Sequence, residues 1–324
     1  MRFVRSLLLL IYFIVYTVPY ATACFIAFPF LRPDARYWMA AGWCKSTLWV
    51  VRWLNGIRYR IEGFENLPDG PAVLLSKHQS AWETLAFPAL MPKPLCYVFK
   101  RELLYVPFFG WALGMLHMVH INRKEGKHAF DSVIRQGKKR LAEGAWVIMF
   151  PEGTRTPVGK QGKYKTGGAR FAIETGTAVV PIAHNAGHVW PRNSFTKYPG
   201  VVTVSIGKPI DVTGLTPDVS TASQISAACA LEAASWGGFQ IMGFHWNLLG
   251  YPDVFAFVEA MKVSEAEHLE AFVRFILADK ALLAALRGRK WAKFAALYNG
   301  RDYADHLYDV KLERAFERYS RAVA

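Results

Sequence analysis

Cysteine is scarce in this 324-residue chain: Cys24, Cys44, Cys96 and Cys229 stand far apart, without C-x-x-C spacing or neighbouring histidines. That pattern gives no zinc signature. The four read as ordinary small apolar residues, the usage expected in a reducing compartment, although four cysteines can formally pair. Acidic residues are scarce in the first two thirds. Residues 213–324 hold 12 Lys+Arg against 13 Asp+Glu, which leaves 27 against 12, or +15, for residues 1–212, so all the excess positive charge of the chain (+14) lies there. Such a field favours anionic partners: nucleic acid, phosphorylated metabolites or an anionic bilayer face. Charge is absent altogether from Ser6 to Leu31. With 52% apolar and 15% aromatic residues the chain is also too hydrophobic to be disordered.

The uncharged run SLLLLIYFIVYTVPYATACFIAFPFL exceeds the ~20 apolar residues that cross a bilayer core, so it reads as a membrane segment. A signal peptide is the rival reading, cleaved after Ala21-Thr22-Ala23, but the run is long and ends in bulky aromatics. Pro19 can kink or break a helix here. Arg2 and Arg5 precede the run and Arg32, Arg36 and Lys45 follow it, so a segment that dips in and returns competes with a straight span. The next stretch mixes Trp38, Trp43, Trp49 and Trp53 with Arg36, Lys45, Arg52 and Arg58. It suits the headgroup layer, and equally a helix packed on the following domain; one helix can do both.

From Ile57 to about Ile210 short β-rich runs alternate with helical or loop stretches: IRYRIEG, AVLLS, LCYVF, HMVHI, WVIMF, AVVPIA and VVTVSIG. This argues for an α/β domain with a covered sheet. Residues able to do chemistry fall where strands end, the usual place for an α/β site. After AVLLS comes Lys77-His78-Gln79-Ser80-Ala81-Trp82-Glu83. On one continuous helix five residues turn through ~500°, which separates His78 from Glu83. They meet only if His78 lies in the turn and Glu83 in the first helical turn, with Ser80 as the N-cap. A carboxylate beside an imidazole fixes its tautomer and supports the imidazolium, the arrangement of a general base. Taken alone, a His and a Glu five apart favour a structural histidine.

Three further groups follow strands. Phe150-Pro151-Glu152-Gly153-Thr154-Arg155 joins a strand stop, a flexible backbone step and a planar cation able to fork onto phosphate. Lys100-Arg101-Glu102-Leu103, with Pro107 and Gly110 behind it, and Arg123 after Ile121-Asn122, supply more positive charge. Four basic groups at successive strand ends can converge on one edge of the sheet or scatter over separate loops.

The segment His78 to Glu83 resembles the H-x-x-x-x-D/E block of the 1-acylglycerol-3-phosphate acyltransferase family, with Glu where Asp is commoner. Lys100 to Leu103, Phe150 to Arg155, and Val180-Pro181-Ile182-Ala183-His184-Asn185 are similar to its second, third and fourth blocks, in order. The resemblance covers residues 1–212. It implies a mixed sheet flanked by helices, His78 as general base, Glu83 as its orienting carboxylate, and Lys100, Arg101, Arg123, Glu152, Gly153, Thr154 and Arg155 as the acceptor and phosphate site. The implied reaction moves an acyl group from acyl-CoA or acyl carrier protein to lysophosphatidic acid at the cytoplasmic face of a bacterial inner membrane, with no covalent acyl-enzyme, metal or cofactor. Glycerol 3-phosphate or a lyso-aminolipid is the alternative acceptor. Lys165, Gly167 and Gly168 read either as a loop beside the phosphate or as a helix start, and His184 shapes the pocket.

The expected division is a membrane-anchoring segment over 1–60, the α/β domain over 61–212, a Thr/Ser/Pro/Gly-containing linker over 213–233, and an all-helical appendage over 234–324 with breaks near Asp279 and Gly288. Within the appendage Ala234-Ser235-Trp236-Gly237-Gly238 to Gly243, with Tyr298-Asn299-Gly300, resembles the C-terminal half of N-acetylmuramidase domains. Lysozyme chemistry needs a carboxylic acid, which in those domains lies well upstream of this block. Glu232 does not occupy that place, so a truncated remnant without hydrolytic activity is expected. A peptidoglycan hydrolase or wall-binding module is the reading from another class; a nucleic-acid binder fits poorly with the apolar N-terminus.

Overall fold

The computed structural model describes residues 1–106, 109–122, 127–158, 164–232, 234–299 and 307–323, and divides into one unit over Met1–Ala233 and a second over Ala234–Ala324.

The first unit opens with two long helices, α1 (Arg2–Ala27) and α2 (Pro33–Asn55). They run antiparallel: the Tyr12 hydroxyl lies 3.4 Å from those of Ser46 and Thr47, Trp43 Nε1 donates to Thr17 Oγ1 at 3.2 Å, and the Tyr20 hydroxyl donates to Met39 O at 2.7 Å. α1 continues through Pro19. A proline inside a helix costs ~3 kcal/mol, and the packing of Tyr16, Tyr20 and Trp43 around that turn offsets it. α1 does not project from the unit. Phe3 packs on Phe195 with ring centroids 5.2 Å apart, Phe13 on Trp190 at 6.5 Å, and Phe25 on Trp111 at 6.2 Å. Phe3 and Phe25 are ~33 Å apart along the axis, so both ends of the helix touch the rest of the unit. Its outer face exposes Leu7, Leu8, Ile11, Ile14, Val15 and Val18. In α2, Tyr37, Ala41, Leu48 and Val51 are buried while Trp49 and Trp53 are exposed, so this helix has both a core face and a tryptophan-bearing outer face.

Then follow β1 (Ile57–Glu62), β2 (Val73–Ser76), α3 (Trp82–Leu90), β3 (Leu95–Lys100), α4 (Phe109–Met115), β4 (Val119–Ile121), α5 (Lys127–Ala142), β5 (Trp146–Met149), α6 (Gly167–Thr175), β6 (Val179–His184), β7 (Gly200–Ile206) and α7 (Val219–Glu232). The seven strands coincide with the seven β-rich runs of the sequence, overrunning them by one residue at Lys100, His184 and Gly200. They form one sheet in the order β1-β7-β6-β2-β5-β3-β4. The five from β6 to β4 are parallel; β7 pairs antiparallel with β6 and parallel with β1, so the sheet is mixed. The central strands β2, β5 and β6 are apolar on both pleat faces because both are covered, whereas the edge strand β1 carries Arg58, Arg60 and Glu62 and is partly exposed. Leu74, Ile148, Val180 and Ile182 face a core shared with α2 and α3, whereas Val73, Leu75, Val147 and Val179 face one that includes Val133, Phe171, Ala222, Ile225 and Cys229. At the β4 edge the Gln136 side-chain amide takes the place of a neighbouring strand: its Oε1 accepts from His120 N at 3.2 Å and its Nε2 donates to His120 O at 3.0 Å.

The stretch 213–233, expected as a linker, differs from that reading. It contains α7, whose Ala222, Ile225 and Cys229 recur at helical spacing and are buried in the second core. Threonine and serine in TGLTPDVSTASQIS masked that apolar stripe.

The second unit contains α8 (Val254–Val263), α9 (Glu265–Ala278), α10 (Lys280–Arg287), α11 (Trp291–Asn299) and α12 (Tyr308–Val323). It also has one strand pair absent from the all-helical expectation, β8 (Ser235–Trp236) with β9 (Ile241–Met242), closed by a turn through Gly237 and Gly238. Asp253, Ser264 and Asp279 are side-chain N-caps, and Gly288 follows α10. The breaks therefore fall at Asp279 and Gly288, as expected. Ile276, Leu282, Ala285 and Phe294 form a small core joined by Phe272, Phe275 and Tyr298.

Candidate active site

Because β2, β3, β4, β5 and β6 are parallel, their C-terminal ends share one edge of the sheet, and each expected block lies at or just after one of those ends. Lys77 and His78 follow β2, Arg101 follows β3, Asn122 follows β4, Phe150 to Arg155 follow β5, and His184 ends β6.

His78 lies in the turn and Glu83 in the first turn of α3, and the two meet: His78 Nδ1 is 2.9 Å from Glu83 Oε1. The same oxygen accepts the backbone N–H groups of Gln79 at 2.8 Å and Ser80 at 2.7 Å. Ser80 stands one residue before the helix cap, Ala81, yet its hydroxyl accepts from Trp82 N at 3.0 Å as a capping group would. Glu83 is fully buried, and its Oε2 has no hydrogen-bond partner among the described residues. Burial pushes the carboxyl pKa up, but His184, the His78 hydrogen bond and the Ser80 N–H outweigh it, and the group sits below the ordinary carboxylate value. His184 Nε2 lies 3.9 Å from Glu83 Oε1 and 2.8 Å from the Lys77 carbonyl, while its Nδ1 accepts from Ala186 N at 3.3 Å. These two backbone contacts fix the His184 ring beside Glu83.

The His78 ring stacks on Phe150, centroids 4.1 Å apart, and is 16% exposed. Its Nε2 has no hydrogen bond among the described residues. An imidazole whose Nδ1 proton is held by a buried carboxylate and whose Nε2 is open can take a proton from a hydroxyl.

Glu152, expected in the acceptor site, points inward. Its side chain is fully buried; Oε2 accepts from His78 N at 2.7 Å, and Oε1 lies 3.2 Å from both Lys77 Nζ and Thr156 Oγ1. Thr156 N in turn donates to His78 O at 2.8 Å. This carboxylate braces the backbone that carries His78. Gly153 turns the chain outward at φ +68°, and a Cβ there would lie 2.8 Å from Lys165 Nζ. Thr154 is exposed and Arg155 half-buried; Lys100 is exposed and Arg101 half-buried, all at the same sheet edge. Lys165 is exposed and its N–H donates to Pro151 O at 2.8 Å, while Gly167 and Gly168 begin α6. Arg123 and Pro107 lie outside the described residues. Sequence reasoning missed Arg192, whose Nη1 donates to the Arg155 carbonyl at 2.7 Å. In the second unit Gly300 also lies outside the described residues.

A histidine–carboxylate pair and a cation-bearing loop at one sheet edge suit acyl transfer to a phosphate-bearing acceptor, and a family model described as Acyltransferase matches residues 58–185. The 1-acyl-sn-glycerol-3-phosphate acyltransferase of Pseudomonas aeruginosa is 47% identical over 199 residues, 61% of this chain and 77% of that protein. The chain belongs to the 1-acyl-sn-glycerol-3-phosphate acyltransferase family. The crystal structure of the family member PlsC from Thermotoga maritima shares the fold, with a TM-score of 0.56 and 23% identity over 70% of this chain and 95% of that chain. A model described as N-acetylmuramidase matches residues 218–320. The Burkholderia AP3 phage endolysin structure aligns at 71% identity over 37% of this chain and 46% of that chain, with a TM-score of 0.30.

Proposed function

We propose that this protein transfers a fatty acyl group from acyl-CoA or acyl carrier protein to the free hydroxyl of 1-acylglycerol 3-phosphate, giving phosphatidic acid. The observation that carries the reading is the 2.9 Å contact between His78 and buried Glu83 at the sheet edge that also bears Lys100, Arg101 and Arg155. His78 Nε2 takes the hydroxyl proton as that oxygen attacks the thioester carbonyl, and Glu83 supports the imidazolium that forms. The C–O bond forms, the C–S bond breaks, and the proton passes from His78 to the departing thiolate. Lys100, Arg101, Arg155 and Arg123 bind the acceptor's phosphate, with Gly153 and Thr154 shaping the loop. Glu152 acts through His78 as a positioning residue.

A lysophospholipid arrives through a membrane, and α1 supplies the contact. Both of its ends touch the catalytic unit, which favours a helix lying in one leaflet over one that crosses and leaves the unit behind. The inner membrane of a bacterium, with the site on the cytoplasmic side where both acyl donors occur, fits this arrangement. No hydrolytic role is assigned to the C-terminal unit, since Glu232 is buried at the end of α7 and lysozyme chemistry needs an acid beside the glycosidic oxygen.

The test is acyl transfer from labelled donor to lysophosphatidic acid by membranes carrying the protein. His78→Ala should lower the rate at least ~100-fold; a rate equal to wild type in a folded variant would remove His78 from the chemistry.

A further inference from the structure

The loop between β6 and β7, residues 185–199, extends well beyond the blocks read in the sequence, yet it touches two parts of the site and the helix α1. Ser80 donates its hydroxyl to Trp190 O at 2.7 Å, which ties the loop to the turn carrying His78. Lys197 N donates to Ser6 Oγ at 2.9 Å, and Phe195 and Trp190 pack on Phe3 and Phe13, which seats the loop against α1. Between these anchors Arg192 reaches back to the Arg155 carbonyl.

That bond uses one of five guanidinium N–H donors. It is the only hydrogen bond or ion pair of Arg192 among the described residues, and the side chain is exposed. Holding a carbonyl needs one N–H and no charge, so the cation and its remaining donors are surplus to the tie. A phosphomonoester carries about −1.5 to −2 charge and three acceptor oxygens, more than one guanidinium neutralises. The place is also suitable: a loop fixed to the first turns of a membrane-facing helix holds its side chains at the depth where a lipid headgroup arrives.

We propose that Arg192 is a second guanidinium for the phosphate of the lysophospholipid acceptor, acting beside Arg155. The proposal rests on the acyltransferase reading above. It assigns a ligand outside the expected blocks and makes the β6–β7 loop part of the acceptor site.

The experiment compares the wild-type full-length protein with Arg192→Gln and Arg192→Lys in mixed micelles, varying lysophosphatidic acid and acyl-CoA separately. Gln keeps an N–H and removes the charge and the fork. For Arg192→Gln the KM for lysophosphatidic acid should rise roughly 10- to 100-fold, as expected for lost hydrogen bonds to a charged group. Its kcat should stay within about twofold of wild type, and the KM for acyl-CoA should not change. Lys, which restores charge without the fork, should recover part of the loss. Inhibition by glycerol 3-phosphate, used as a phosphate-bearing competitor, should weaken in step with the acceptor KM. An unchanged acceptor KM in Arg192→Gln would overturn the proposal, as would a fall in kcat alone, the mark of a tie that merely shapes the loop. A wild-type protein that fails to acylate lysophosphatidic acid would instead overturn the parent reading.

Discussion

Replacing Glu152 with glutamine separates a brace from a substrate ligand. The carboxylate receives His78 N on one oxygen and Lys77 Nζ with the Thr156 hydroxyl on the other. A glutamine oxygen serves only one side. Turned toward His78, it leaves the amide NH2 facing the Lys77 ammonium, which is 11% exposed and has no other carboxylate partner among the described residues. Unpairing a buried charge costs ~3–5 kcal/mol, less where the lysine can reach water. Turned toward Lys77, it sets donor against donor at the His78 amide and forfeits a hydrogen bond to a charged acceptor, worth ~1.5–3 kcal/mol. Either way Glu152→Gln should lose about 2–4 kcal/mol of stability, an apparent Tm lower by about 5–15 °C. The His78 backbone would shift by some fraction of an ångström, and because misplacement by ~1 Å can cost ~100-fold, kcat should fall about 10- to 100-fold. The KM for lysophosphatidic acid should stay within about threefold. Thermal unfolding and initial-rate kinetics on the same preparation measure all three. A raised acceptor KM with unchanged Tm and kcat would refute the reasoning and return Glu152 to the acceptor site.

Glu83→Gln keeps an oxygen for His78 Nδ1 and the two turn amides but puts an NH2 where Oε2 has no partner. With charges ~4 Å apart and an effective dielectric of ~20 the lost imidazolium support is worth up to ~4 kcal/mol, so kcat should drop about 100- to 1000-fold in a folded variant. Truncation after Ala233 should retain acyl transfer, whereas truncation after Asp211 removes α7 from the second core and should give an unstable, inactive protein by unfolding and transfer assays. In the second unit burial pushes the His245 imidazole down to about 4. Its folded-state value is depressed, so the unfolded chain binds the proton first, and stability should fall as pH drops from about 6.5 to about 4, by up to ~3 kcal/mol in that unit. Unfolding followed across that range should show a slope that His245→Phe abolishes.

The strands and the His78–Glu83 contact were legible because they rest on local rules. Continuous apolar runs mark strands covered on both faces, and two residues five apart meet only across a turn into a helix. Glu152 was not legible. Its place in a loop after β5 said that it would be near the site, but the direction of its side chain depends on where the β2 turn crosses that loop, a contact 74 residues away in sequence. Arg192 was missed for the same reason: nothing in WPRNSF marks a guanidinium that folds back on Arg155. α7 was hidden by its serines and threonines, because periodicity was weaker than composition there. For α1 the sequence left open whether the segment crosses or returns; the packing of Phe3 and Phe25 at its two ends, which hydropathy does not contain, supports the proposed placement in one leaflet without fixing it.

The Gln136 amide at His120 bears on how this protein survives crowding. A sheet ending on a bare strand invites another chain to add to it, and apolar proteins gathered on a membrane meet at high local concentration. One side chain here occupies both backbone groups that such an intruder would use. The protection is cheap in sequence and easily lost: Gln136→Leu would keep the helix and much of the packing while leaving a ready template for aggregation, a fault visible as loss of dispersed protein before any loss of catalysis per folded molecule.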